Sequence, residues 1–170
     1  AVMLDAVPER FKGIPDEDER YFAMARGTQG AEAMEMTKWF NTNYHYIVPE
    51  LTEDMRFSLN PQKIIDEYRE AKELGIKTKI NVIGHITFLN LSRRMDGNGN
   101  VLDLLSQVLP HYISLLNQLT LLDEAVMVQF DEPSLVRDTD SRTLELFRAS
   151  YDMLCRANGN LRPIVMTYFD

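Results

Sequence analysis

Apolar residues recur along this chain in two rhythms, helical spacing and short unbroken runs, and the two alternate. Ile64, Ile65, Tyr68, Ala71 and Leu74 lie on one helical stripe. Asn60-Pro61 predicts its start, a cap followed by a first-turn proline, and Gly75 its end. Lys79-Ile80-Asn81-Val82-Ile83-Gly84 then reads as a strand, and Asp96-Gly97-Asn98-Gly99-Asn100 as a loop. Leu104, Leu105, Val108, Leu109, Tyr112, Leu115, Leu116 and Leu119 trace a second helical face within Val101–Leu122, which Pro110 kinks or divides. Ala125-Val126-Met127-Val128-Gln129-Phe130 is the next strand, ending in Asp131-Glu132-Pro133. A third helix is predicted from about Asp140 to Ala157, stopped by Asn158-Gly159-Asn160, with a last strand over Ile164–Tyr168. A further strand is predicted just before Lys38.

Apolar strands alternating with helices predict a parallel sheet covered on both faces. A doubly wound sheet and part of a (β/α)8 barrel both fit. A whole barrel takes about 250 residues, and four strands in 170 residues make half of one.

Composition narrows the partners. Eighteen Lys and Arg against 26 Asp and Glu give a net charge of −8, which argues against nucleic acid or an anionic membrane as the main partner. An acidic shell still leaves room for a local basic site. No stretch reaches the roughly 20 apolar residues of a membrane span. Cys155 is the only cysteine, so no intramolecular disulfide can form, which fits a reducing cytosol. One Cys with three His is thin material for structural zinc. The chain lacks an initial methionine and ends straight after an apolar run, so both ends read as cut.

Candidate chemistry concentrates in Met34–Tyr46, where Lys38, Trp39, Phe40, Asn41, Asn43, Tyr44, His45 and Tyr46 fall together. Ammonium, amide and imidazole groups can hold an anionic ligand while aromatic faces form a wall. The plainer alternative is a strand and an aromatic loop packed on the core. Asp131-Glu132 closes an apolar strand, where parallel sheets present polar residues to ligands. The pair reads either as a cation-binding or acid–base site, or as a solvated turn with Asp capping the next segment. Arg26 before Gly27 reads as a surface ion pair or a carboxylate grip. His85 after Gly84 reads as a buried, hydrogen-bonded imidazole rather than a ligand, and His111 as structural or solvated. Cys155, on an amphipathic helix, reads as a small packed hydrophobe. No nucleophile elbow, phosphate loop, Cys-x-x-Cys or His-Glu-x-x-His motif is present.

The segment Glu35-Met36-Thr37-Lys38-Trp39-Phe40-Asn41-Thr42-Asn43-Tyr44-His45-Tyr46-Ile47-Val48-Pro49-Glu50 resembles the signature of the N-terminal domain of cobalamin-independent methionine synthase. Ala6–Phe11, Tyr21–Gly27, Val128–Leu135 and Thr167-Tyr168-Phe169 extend the resemblance in order over essentially the whole chain. It implies an incomplete portion, residues 1–170, of an N-terminal (β/α)8 TIM-type barrel. It also implies a cytoplasmic enzyme that moves the methyl group of 5-methyltetrahydropteroyltriglutamate to homocysteine, without cobalamin.

In that family a C-terminal barrel, the expected partner of this segment, carries a zinc ion held by His, two Cys and Glu. The metal stabilises the thiolate of a thiol that ordinarily ionises near about 8.5. A chain with one Cys cannot supply those ligands, so no catalytic or metal residue is expected here.

What the resemblance leaves to this segment is structural support and folate binding. Lys38 would pair with carboxylates of the polyglutamate tail and Asn43 would hydrogen-bond its polar atoms. The family's basic segment near its N-terminus has no counterpart here, so affinity of the segment alone is expected to be weak. Alternatives are a non-catalytic folate- or anion-binding module and a structural relic. Gly84-His85 departs from the family's usual Gly-Pro, and Asp131-Glu132-Pro133 reads as a vestige of a superfamily site. An incomplete barrel also exposes strand edges, which predicts self-association.

Overall fold

The computed structural model describes residues 1–97, 99–156 and 161–169. Two short helices, α1 (Glu9–Lys12) and α2 (Glu17–Arg26), precede a hairpin of β1 (Met36–Lys38) and β2 (His45–Ile47). Then come β3 (Glu50–Leu51), α3 (Gln62–Glu73), β4 (Ile80–Ile83), α4 (His85–Asn90) and β5 (Arg93–Arg94). The chain continues with α5 (Leu105–Leu119), β6 (Val126–Asp131), α6 (Ser141–Arg156) and β7 (Leu161–Met166).

The predicted strands and helices of the second half form with small shifts. Helix α3 starts one residue later than expected, with Pro61 itself at the N-cap position and no side-chain cap, while the Asn60 N–H donates to the Met3 carbonyl at 2.8 Å. Gly75 closes that helix at φ +72°, a left-handed conformation that costs glycine little. The Val101–Leu122 segment does divide, though not at Pro110. A 3-10 turn over Val101–Leu104, capped by the Asn100 side chain on the Leu102 N–H at 2.9 Å, leads into α5, which carries Pro110 inside it. Helix α6 follows its predicted course to Arg156, and the predicted stop at Asn158-Gly159-Asn160 lies outside the described residues.

Sheet topology departs from the sequence reading at the first strand. Strand β1 does not join the parallel sheet; it pairs antiparallel with β2, Lys38 opposite His45 and Met36 opposite Ile47. A short connection returns the chain directly, so local pairing outcompetes a crossover. The parallel sheet has the order β4-β6-β7, and β3 pairs with β5 in a separate two-stranded ribbon. Among the described residues the sheets are open and the architecture is mixed α/β.

Over β4 and β6 the sheet is also covered on one face rather than two, whereas Val165 of β7 stays 39% exposed on the helix-facing side. Ile80 and Val82 of β4 align with Val128 and Phe130 of β6, and all four are buried with Tyr68 of α3, Tyr112 and Leu116 of α5, and Tyr151 and Leu154 of α6. Alternation sends the intervening residues to the other side. There Ile83 (44%), Met127 (39%) and Met166 (40%) remain exposed beside Gln129 and Asp131. A second, smaller cluster of Val7, Phe11, Ala23, Met24 and Met34, with Ile47 against it, fastens the hairpin to α1 and α2.

Two surface readings need correction. Cys155 is exposed rather than packed, because the buried stripe of α6 runs through Thr143, Ser150, Tyr151 and Leu154. Arg26 stacks its guanidinium 5.1 Å above the Phe22 ring instead of joining an ion pair. His111 is half-buried, its ring 6.4 Å from that of Phe57, in keeping with a structural role.

Candidate functional site

The hairpin carries Lys38 and Asn43, the two predicted ligand-binding residues. Lys38 is the last residue of β1 and Asn43 lies in the loop before β2; both are exposed. The loop is shaped locally. Trp39 donates its N–H to the Tyr44 carbonyl at 2.7 Å, and Thr42 returns its hydroxyl to the Trp39 carbonyl at 2.6 Å. Phe40 holds a left-handed φ of 53°, a strained state for a bulky residue.

Aromatic contacts lock one face of this hairpin onto the carboxyl end of the parallel sheet. The Trp39 ring meets Phe40 at 5.2 Å and Tyr46 at 5.6 Å, both edge-on. Phe40 stacks between Phe169, at 5.2 Å, and the Arg137 guanidinium, at 4.6 Å. Burial and the charge of Asp131 push the ionisation of the Tyr168 hydroxyl upward, and the Trp39 indole pulls it the other way. Tyr46 donates to the Leu91 carbonyl at 3.3 Å. Arg137, Tyr168 and Phe169 are partners of the hairpin that the sequence does not reveal. The turn after β6 and the end of β7 bring them there, and no spacing along the chain signals it.

Asp131 and Glu132 are split between two environments, so neither the paired-carboxylate reading nor the solvated turn holds. Asp131 faces the open side and accepts from the Gln129 amide at 2.6 Å, while Lys79 bonds the other end of that amide. Glu132 is fully buried. Its carboxyl accepts the N–H of Thr87 at 2.7 Å, the N–H of Ile86 at 3.3 Å and the hydroxyl of Tyr151 at 2.8 Å. Burial pushes its ionisation upward, and those donors pull the other way. Gly84 permits this contact, since a Cβ there would stand 2.1 Å from the carboxyl carbon.

His85 is buried as expected, between the rings of Tyr112 (5.3 Å) and Tyr151 (4.8 Å), with Nε2 2.6 Å from the Ser150 hydroxyl. Burial lowers its pKa to about 3, so the ring is neutral. Ser150 donates onward to the Phe147 carbonyl at 3.1 Å, which makes His85 Nε2–H the donor and leaves Nδ1 bare. This buried group braces the core and touches no exposed cleft residue of the hairpin.

A metal does not fit the residues present. Among the described residues no group of three or more His, Cys, Asp or Glu side chains is placed to hold an ion.

These features define the class as an α/β segment whose polar and aromatic rim lies at the carboxyl ends of parallel strands, where such sheets bind ligands. Comparison with known proteins is specific. A family model described as the N-terminal domain of cobalamin-independent synthase matches residues 1–170, and the chain belongs to that family. Over 170 residues it is 62% identical to the 5-methyltetrahydropteroyltriglutamate–homocysteine methyltransferase of Desulforamulus reducens, covering 100% of this chain and 22% of the relative. The enzymes of the same name from Mycolicibacterium paratuberculosis and Catharanthus roseus are 46% and 45% identical, over 99% of this chain and 22% and 23% of theirs. The chain therefore spans about a fifth of the length of these relatives.

Proposed function

We propose that this chain serves as the N-terminal segment of a methyltransferase that moves the methyl group of 5-methyltetrahydropteroyltriglutamate to homocysteine, giving methionine. The carrying observation is the whole-chain family match, joined to an exposed Lys38 and Asn43 on a hairpin fixed at the carboxyl edge of the sheet. In this reading Lys38 pairs with tail carboxylates, Asn43 hydrogen-bonds the ligand, and the hairpin positions the folate rather than reacting with it. The zinc that activates the homocysteine thiol, and the C-terminal barrel that holds it, belong to the rest of the enzyme. The enzyme is cytoplasmic in this reading. No helix among the described residues is long and apolar enough to cross a membrane.

The open sheet supports a second part of the reading, that β4, β6 and β7 are strands of an N-terminal (β/α)8 barrel. Helices cover one face while Ile83, Met127 and Met166 on the other await neighbours. Edge strands β4 and β7 then leave the isolated chain prone to self-association. Light scattering is expected to report dimers or larger species, and a monodisperse monomer would count against it.

Affinity for the substrate tail is the direct test. Lys38→Ala in the full-length enzyme is expected to weaken 5-methyltetrahydropteroyltriglutamate binding about fivefold to tenfold, an exposed charge pair being worth about 1 kcal/mol. Titration calorimetry reads it, and unchanged affinity removes Lys38 from the site. The 170-residue chain alone is expected to show no methyl transfer.

A further inference from the structure

The register of the hairpin puts a second nitrogen base beside Lys38. His45 of β2 is the direct cross-strand partner of Lys38. Side chains opposite one another in an antiparallel pair project from the same face, with Cβ atoms about 5 Å apart. The Thr37–Tyr46 pair takes the other face, where Tyr46 and Trp39 are consumed by aromatic contacts and the bond to Leu91. Lys38 and His45 are both exposed, and among the described residues neither has a hydrogen bond, ion pair or ring contact.

Of the other cations near the hairpin, Arg137 is stacked on the Phe40 ring and the arginines flanking the strands are neutralised. Arg93 pairs with Glu35 at 3.0 Å, and Arg10 grips Glu50 through two bonds of 2.6 and 2.8 Å. In a chain with a surplus of eight acidic charges, two adjacent bases without a carboxylate partner form a local exception. The opposite face is packed through Tyr46 and Trp39, so the ordering cost on binding falls on the two side chains rather than on the strands that carry them.

We propose that His45 acts with Lys38 as a two-point reader of carboxylates, and that it sets preference for a ligand tail bearing several of them. This rests on the folate-binding reading above and adds to it a residue and a specificity. Lys38 offers a compact charge with three donors, and His45 an imidazole N–H directed to the same side. The monoglutamate carries two carboxylates close together on one residue, whereas the four carboxylates of a triglutamate tail are spread along it and can engage both groups at once. Discrimination between triglutamate and monoglutamate forms therefore belongs to the pair.

The test is titration of the full-length enzyme with 5-methyltetrahydropteroyl mono- and triglutamate, using Lys38→Ala, His45→Ala and His45→Glu. His45→Ala is expected to weaken triglutamate binding about fivefold and leave monoglutamate binding within about twofold. His45→Glu sets a carboxylate opposite Lys38, occupying it, and is expected to weaken the triglutamate about fiftyfold while thermal unfolding stays unchanged. If both His45 variants keep the wild-type tri-to-mono ratio while Lys38→Ala lowers it, His45 plays no part and the folate-binding reading stands. If the wild type does not discriminate and Lys38→Ala changes nothing, that reading fails and His45's role fails with it.

Discussion

Glu132→Ala is expected to destabilise the fold by about 3–5 kcal/mol, the range for stripping one partner from a buried charged or hydrogen-bonded group. The carboxyl is fully buried and accepts from Ile86, Thr87 and Tyr151. Truncation leaves those three donors without their acceptor, around a void beneath Gly84. Glu132→Gln keeps an acceptor oxygen and is expected to cost less than half as much. Urea unfolding checks both, and a midpoint for Glu132→Ala within error of wild type would falsify the role. The sign of the pH effect follows from burial, which raises the Glu132 pKa. A raised pKa favours the protonated folded state, so this group's contribution is present at low pH and falls as pH rises through its folded value.

Acid acts through His85 in the opposite sense. Its pKa falls to about 3 in the fold, against about 6.5 for a free imidazole. The folded state binds its proton less readily than the unfolded chain, so stability is full above pH 6.5 and drains as pH falls toward 3. At pH 4 the loss from this one residue is about 3 kcal/mol, at 1.36 kcal/mol for each unit below 6.5. The structural cause is the bare Nδ1 enclosed by Tyr112 and Tyr151, where a proton would bury an unpaired charge. His85→Pro should remove this loss. His85 is the first residue of α4 after the Gly84 cap, a position that suits proline because its N–H has no partner within the helix. Chemical unfolding at pH 7 and pH 4 is expected to show a smaller difference between the two pH values for His85→Pro than for wild type. Equal differences would assign the acid sensitivity elsewhere.

Much of the architecture is legible in the sequence because the signals are local. The stripe over Ile64–Leu74 and the run at Val126–Phe130 each rest on neighbours within a few residues, and each element forms where predicted, while the predicted loop before Val101 includes Asn98, which lies outside the described residues. Legibility fails where pairing is a choice between distant partners. The three residues of β1 carry no signal that separates a hairpin from a parallel strand, and the structure pairs them with β2. Exposure of Cys155 was illegible for a related reason, since the phase of a helical stripe is set by what packs against it.

The site divides along the same line. Lys38, Asn43 and His45 lie within eight residues, so their chemistry reads directly from the chain. That Lys38 and His45 share a face does not, because it depends on register, and a one-residue slip would turn His45 away from Lys38. By itself, then, the sequence determined the approximate spans of α3, β4, α5, β6 and α6, the acidic balance, the cluster around Lys38 and the family signature. Tertiary structure alone decided which face each strand buries, that Asp131 is half-buried on the open side while Glu132 is enclosed in the core, and that Arg137 and Phe169 clamp Phe40. The reason is physical: spans and motifs arise from short-range sterics and periodicity, whereas faces, burial and long-range contacts exist only once distant segments have met.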